Sequence, residues 1–292
     1  MRRLIIALAV LGLLAALALF VTRPRDVSAN AFASLTPDVE NGAQVYAAAG
    51  CASCHLPPDV PEGPLAGGQA FETDFGTFYA PNISMDPEHG IGDWTDLQLA
   101  SAIVQGTSPE GAHYYPAFPY VAYRNADLQD VTDLIAHLRT LPASDTPSRN
   151  HDVGFPYSIR AALGGWKLVF GQPGWVIETQ DAEIARGRYL VEALGHCGEC
   201  HTERAALGGL KTDQWLAGAP LPVGDGRVPN ITPAVLDWSA IEIEDYLASG
   251  FTPEFDSAGG EMAAVIRNST SKLTNEDRQA IAAYLKAVPG VE

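Results

Sequence analysis

The chain has 292 residues, with 35 acidic against 18 basic side chains and a formal net charge of −17. Such a surface repels phosphate backbones, which excludes nucleic acid as a partner. It suits solubility in an aqueous compartment and could steer a basic partner by long-range attraction.

The acidity is not shared by the N-terminus. Residues 1–25 hold Arg2, Arg3, Arg23 and Arg25 and no acidic residue, and an uncharged apolar run from Leu4 to Val21 lies between the two arginine pairs. As a helix that run covers about 27 Å, close to the hydrocarbon thickness of a bilayer. A cleaved leader is the competing reading, but small-residue cleavage candidates near Ala29 to Ala33 lie late for it. The expectation is a retained anchor over 1–25 with its N-terminus in the cytoplasm.

A helix over Val39 to Ala49 then leads into Cys51-Ala-Ser-Cys54-His55, and a second over Asp181 to Gly195 leads into Cys197-Gly-Glu-Cys200-His201. These two Cys-x-x-Cys-His pentads use all four cysteines. Two thiols on one helical turn reach the two vinyl groups on one edge of a porphyrin, and the following His is carried under the ring to ligate iron. Redox dithiols need a βαβ setting and zinc ribbons need closer pairs, and neither accounts for the His after each second Cys. The pattern therefore predicts two covalently bound haems c, held by Cys51, Cys54, His55, Cys197, Cys200 and His201. Haem is attached to exported chains, so the compartment expected is the periplasm, with the chain tethered to a bacterial inner membrane.

The chain also repeats itself. Pro81-Asn82-Ile83-Ser84 returns as Pro229-Asn230-Ile231-Thr232, Trp94 as Trp238, Gly106 as Gly250 and Leu138 as Leu285. The order is kept at a nearly constant offset, which reads as two copies of one helical domain, 26–145 and 181–292, joined by a connector over 146–180. Each copy closes on an amphipathic segment, Asp127 to Leu141 or Asn275 to Val288, with Thr274 a natural N-cap. Gly42 and Gly187, early in the two leading helices, cost helix stability unless another helix crosses there closely. The connector, rich in Pro, Gly and aromatics, is too apolar for a floppy linker. It is expected to pack between the domains or to form a short helix facing membrane or partner.

These features resemble the class I cytochrome c fold: all-α, here as two tandem domains behind a transmembrane helix. More narrowly, Ala80-Pro81-Asn82-Ile83-Ser84, Gly90-Ile91-Gly92-Asp93-Trp94, Tyr114-Tyr115-Pro116-Ala117-Phe118-Pro119-Tyr120 and Leu216-Ala217-Gly218-Ala219-Pro220 resemble the cytochrome c subunits of bacterial alcohol and gluconate dehydrogenase complexes. Those subunits usually carry three haem motifs where this chain has two. The resemblance implies electron transfer, with a dehydrogenase subunit as donor and a quinone or terminal oxidase as acceptor.

Haems of this fold usually take a Met sulfur opposite the His, which raises the potential. Met262, after Gly259-Gly260 and shortly before the closing segment, fits that place for the second haem. In the first half the corresponding residue is Phe118, which cannot bind iron. His113 or Met85 could substitute, or the position is open. This asymmetry predicts a first haem of lower potential. It also keeps a second function in view, a dihaem oxidoreductase of peroxidase or thiosulfate dehydrogenase type reacting at the first haem. His196 borders a pentad, Trp94 and Trp238 suit pocket walls, and Asn82 and Asn230 are placed to orient a ligand or propionate. His89, His137 and His151 read as structural or solvated.

Overall fold

The computed structural model describes residues 1–223 and 225–292. Helix α1 (Arg2–Val21) buries none of its residues against the rest of the chain, so its apolar surface is free all round. It is long and apolar enough to cross a membrane, and a short α2 (Ala29–Ala33) follows it.

The first half consists of α3 (Val39–Ala48), α4 (Cys51–His55), the hairpin β1–β2 (Ala70–Thr73, Gly76–Tyr79), α5 (Asp96–Gln105), α6 (Tyr120–Tyr123) and α7 (Leu128–Leu138). Helix α8 (Ala162–Phe170) belongs to the connector. The second half runs α9 (Ala182–Arg188), α10 (Gly198–His201), the hairpin β3–β4 (Ala219–Pro220, Arg227–Val228), α11 (Ala240–Ser249), α12 (Gly260–Asn268) and α13 (Asn275–Ala287). Both halves repeat one plan: leading helix, pentad helix, hairpin, middle helices, closing helix.

The leading and closing helices cross where the sequence placed glycine. A Cβ on Gly42 would overlap the backbone carbonyl of Asp133 in α7, and one on Gly187 would overlap that of Ala280 in α13. Contact this close lets two backbones meet with nothing between them, which offsets the intrinsic cost of glycine in a helix. Asp133 strengthens the first crossing, because its buried carboxylate accepts from Asp38 N at 2.8 Å and Asn41 Nδ2 at 2.7 Å. Thr274 caps α13 as expected, its hydroxyl accepting from Asp277 N at 3.1 Å.

One feature of the second leading helix differs from expectation. It does not run as regular α-helix to the pentad but widens into a π-turn over Tyr189–Leu194, where Gly195 N reaches Leu190 O at 2.6 Å. The extra residue per turn brings Glu192 inside, only 4% exposed.

The halves are fused rather than strung together. One hydrophobic cluster joins Val45, Leu56, Leu134 and Leu138 to Leu190, Leu194, Leu247 and Leu285. Tyr189 adds a polar clasp, donating to Asp130 Oδ2 at 2.6 Å and accepting from Asp127 N at 3.1 Å. The connector packs onto both halves: Lys167 Nζ donates to Gln105 O and Gly106 O, and Trp166 Nε1 to Leu207 O at 2.8 Å.

Gly187→Ala is expected to lower stability by about 1–3 kcal/mol through overpacking at the α9–α13 crossing. Gly165→Ala in α8, where an added Cβ meets nothing within 4 Å, is the control and should cost little. Denaturant unfolding of the haem-loaded protein, followed by far-ultraviolet circular dichroism, measures both. Equal stability of the two variants would contradict the crossing.

Candidate functional site

Each pentad helix ends by aiming its histidine at a proline carbonyl. His55 Nδ1 lies 2.9 Å from Pro81 O, and His201 Nδ1 lies 2.9 Å from Pro229 O. A carbonyl only accepts, so Nδ1 carries the proton and Nε2 keeps its lone pair, the tautomer a metal-ligating imidazole requires. Burial pushes both imidazoles below their usual range, which favours the neutral form. The pentad is locked to its loop by a second shared bond, from Gly67 N to His55 O and from Gly218 N to His201 O, both 2.8 Å. Both glycines have positive φ, +71° and +81°, and face backbone where a side chain would clash.

No disulfide joins any of the four cysteines. Burial, with the partner cysteine second, pushes Cys51 and Cys197 up to about 12. Burial pushes Cys54 up to about 11, with Cys200 and Glu261 of the other half adding to it. In this state they are neutral S–H groups, and Cys51, Cys54, Cys197 and Cys200 would hold haem through thioether bonds to its vinyl groups. A pair of thiols followed by a histidine whose Nε2 is left free by the Nδ1 bond fits covalent haem on both helices. Among the described residues there is no cluster of three or more His, Cys, Asp or Glu suited to another metal ion.

Each pentad region is in contact with the other half of the chain. Ser53, inside the first pentad, donates to Ala264 O of α12 at 3.3 Å. Tyr123 of α6 has its ring 5.6 Å from that of His196, beside the second pentad. Each half thus lays its last pocket helix on the attachment region of the other.

Met262 lies in the first turn of α12, partly buried against the main cluster, as the position after two glycines anticipated. Phe118 stands in an aromatic group with Tyr114, Tyr120 and Tyr123. Met85 packs in the core with Arg139 Nη1 3.8 Å from its sulfur. His113 is not a loop residue in solvent; it is buried, with Nε2 2.8 Å from Thr22 O at the end of α1. Arg160 Nε holds its carbonyl at 2.8 Å, and its Nδ1 has no partner among the described residues. For His113 to reach iron through Nε2, its bond to Thr22 must break.

Asn82 has a different role from the one expected of it. Its Nδ2 donates to Ser144 O and Thr146 O, both at 2.8 Å, and its Oδ1 accepts from Ser84 N. Asn230 ties its loop to Val291 O at 2.7 Å in the same way. These amides fasten the strand after each closing helix, leaving the preceding proline carbonyl in place for the histidine.

Sequence reasoning missed the proline carbonyls, because a backbone acceptor leaves no side-chain signature; the repeated Pro-Asn-Ile was the only sign. It also missed the support under the second pentad. The edge of the Trp215 ring occupies the place of a side chain on Gly198, and its Nε1 donates to Tyr284 Oη at 2.9 Å. Tyr284 donates in turn to Glu192 at 2.5 Å, which also accepts from Val176 N at 2.6 Å. Burial pushes the Glu192 carboxyl up, against the pull of these donors.

A family model described as Cytochrome c matches residues 39–142 and 184–289. A diheme cytochrome c-type protein of Cereibacter sphaeroides is 55% identical over 100% of this chain and 99% of its own length. The fructose dehydrogenase cytochrome subunit of Gluconobacter japonicus is 39% identical over 92% of this chain. The cytochrome c subunit of alcohol dehydrogenase (quinone) from Gluconobacter oxydans is 33% identical over 87% of it. The chain spans 55% of the length of each of these two dehydrogenase subunits.

Asn82→Ala is expected to lower stability by about 1–3 kcal/mol, the cost of leaving buried backbone acceptors without donors. The visible spectrum of the attached haem should be unchanged. A shifted Soret band at unchanged stability would return the amide to the haem.

Proposed function

Since the chain belongs to the cytochrome c family, we propose that it relays electrons one at a time from a dehydrogenase to the respiratory chain, tethered by α1 to a bacterial inner membrane with both domains in the periplasm. It carries two covalently bound haems c, each supplying one Fe(III)/Fe(II) couple. The observation that carries the relay is that each attachment region packs against the other half within one continuous core, Ser53 on Ala264 and His196 on Tyr123. A fused core holds two redox centres at one separation, which a flexible linker would not. The dehydrogenase as donor rests on the named function of the relatives, and the acidic surface would favour basic contacts on a redox partner.

The protein's own residues divide the two centres. His201 with Met262 supplies the second haem, the sulfur favouring Fe(II). His55 supplies the first, and its sixth position is left open by the chain, because Phe118 stands where Met is expected and His113 is engaged with Thr22. That same opening supports a second reading, catalysis at the first haem in the manner of a peroxidase. A thiosulfate dehydrogenase-like site is less well supported, since all four cysteines serve attachment.

A redox titration should show two one-electron waves, with the lower potential at the first haem. Carbon monoxide should bind one of the two reduced haems, and both in Met262→Leu. No carbon monoxide binding would overturn the open site: with a lower first potential it would restore His113 as a ligand, and with two equal potentials it would assign Met85. Rapid turnover with hydrogen peroxide would favour the catalytic reading over the relay.

A further inference from the structure

Helix α8 packs Leu163, Trp166 and Phe170 against the protein and still leaves aliphatic side chains exposed on its other face. Its charged residue points inward: Lys167 donates to two carbonyls of the first half at 2.7 and 2.8 Å and lies over the ring of Tyr120. Its buried Gly164 packs on the Thr22 carbonyl and the His113 ring. The outward face holds Ala161, Gly165, Leu168 and Val169, with Leu168 50% and Val169 69% exposed. A helix facing water has polar residues outward and apolar residues to the core. Exposed apolar residues gathered in one place mark an interaction surface. Ile159, whose carbonyl accepts from Ala162 N at the start of α8, is 49% exposed, and Phe155 just before it is 84% exposed.

What covers this face follows from its position and its charge. Thr22 is the last cap residue of α1, so α8 touches the chain at the point where an apolar helix of 20 residues ends. That exit is held firmly, with Arg25 O accepting from Thr107 at 2.8 Å and Val27 N donating to Ser101 at 3.0 Å. No acidic residue occurs from Val153 to Ile177, in a chain with 35 of them, and Arg160 lies within that stretch. Beside it stand Arg23 and Arg25. A neutral-to-basic apolar surface at the mouth of a membrane helix is suited to anionic headgroups and the first methylenes of the acyl chains.

We propose that the outward face of α8, with Phe155 and Ile159, rests in the headgroup layer of the membrane that α1 spans. The chain then meets the bilayer at two places, one spanning and one lying flat, and its haem domains are held in a fixed attitude instead of swinging on the anchor. This inference depends on α1 crossing the membrane.

The test uses the full chain with both haems, reduced, in phosphatidylcholine vesicles containing phosphatidylglycerol. The native cysteines are consumed by haem, so a nitroxide reacts only with an introduced thiol. Labels at Val169→Cys and Leu168→Cys should be several-fold more accessible to oxygen, relative to a water-soluble nickel chelate, than a label at Ile241→Cys, which is 71% exposed on the second half. A label at Leu13→Cys reports the anchor itself. If Leu13 reads as lipid and both α8 labels read like Ile241, the surface docking is overturned and the anchor stands. If Leu13 also reads as water, the anchor reading fails and the docking with it. Every labelled site is at least half exposed, so loss of the fold does not confuse the result.

Discussion

Two proline carbonyls, Pro81 and Pro229, each hold the Nδ1 of the pentad histidine at 2.9 Å, and the rest of the fold serves to keep them there. The bond settles which ring nitrogen is free, and so settles the ability of the chain to ligate iron. The loop bearing each carbonyl is fixed by the asparagine after it, which reaches the segment beyond the closing helix. The closing helix is in turn fixed by its crossing with the leading helix, where glycine allows backbone to meet backbone. Attachment site, loop and crossing thus form one closed circuit in each half.

The two circuits are equivalent in backbone and unequal in chemistry. Pro-Asn-Ile, the glycine before the hairpin and the glycine crossing recur in both, yet Met262 has Phe118 as its counterpart. The second half also carries the π-turn and the chain from Trp215 through Tyr284 to Glu192, which supports its pentad from behind. The scaffold repeats in both halves, while the residues at the Met262 and Phe118 positions differ.

Much of this was legible in the residues because the signals were covalent or periodic. The pentads name their cofactor chemistry, the repeat names the duplicated fold, and Gly42 and Gly187 name the crossings through the cost they carry. What stayed hidden was held by backbone or by distant packing. The proline acceptors have no side-chain signal. Asn82 read as a ligand-orienting amide because its true partners, Ser144 and Thr146, lie over sixty residues away. His113 read as a candidate iron ligand because nothing local shows that Thr22 returns to meet it. The exposed aliphatic face of α8 could not be assigned without knowing which side meets the core.

The most direct measurement is the mass of the intact, acid-unfolded chain, taken alongside its alkaline pyridine haemochrome spectrum. The account predicts a polypeptide heavier by two haem groups that survive unfolding, with two haemochromes per chain. A polypeptide of bare mass, or one carrying a single haem, would contradict it.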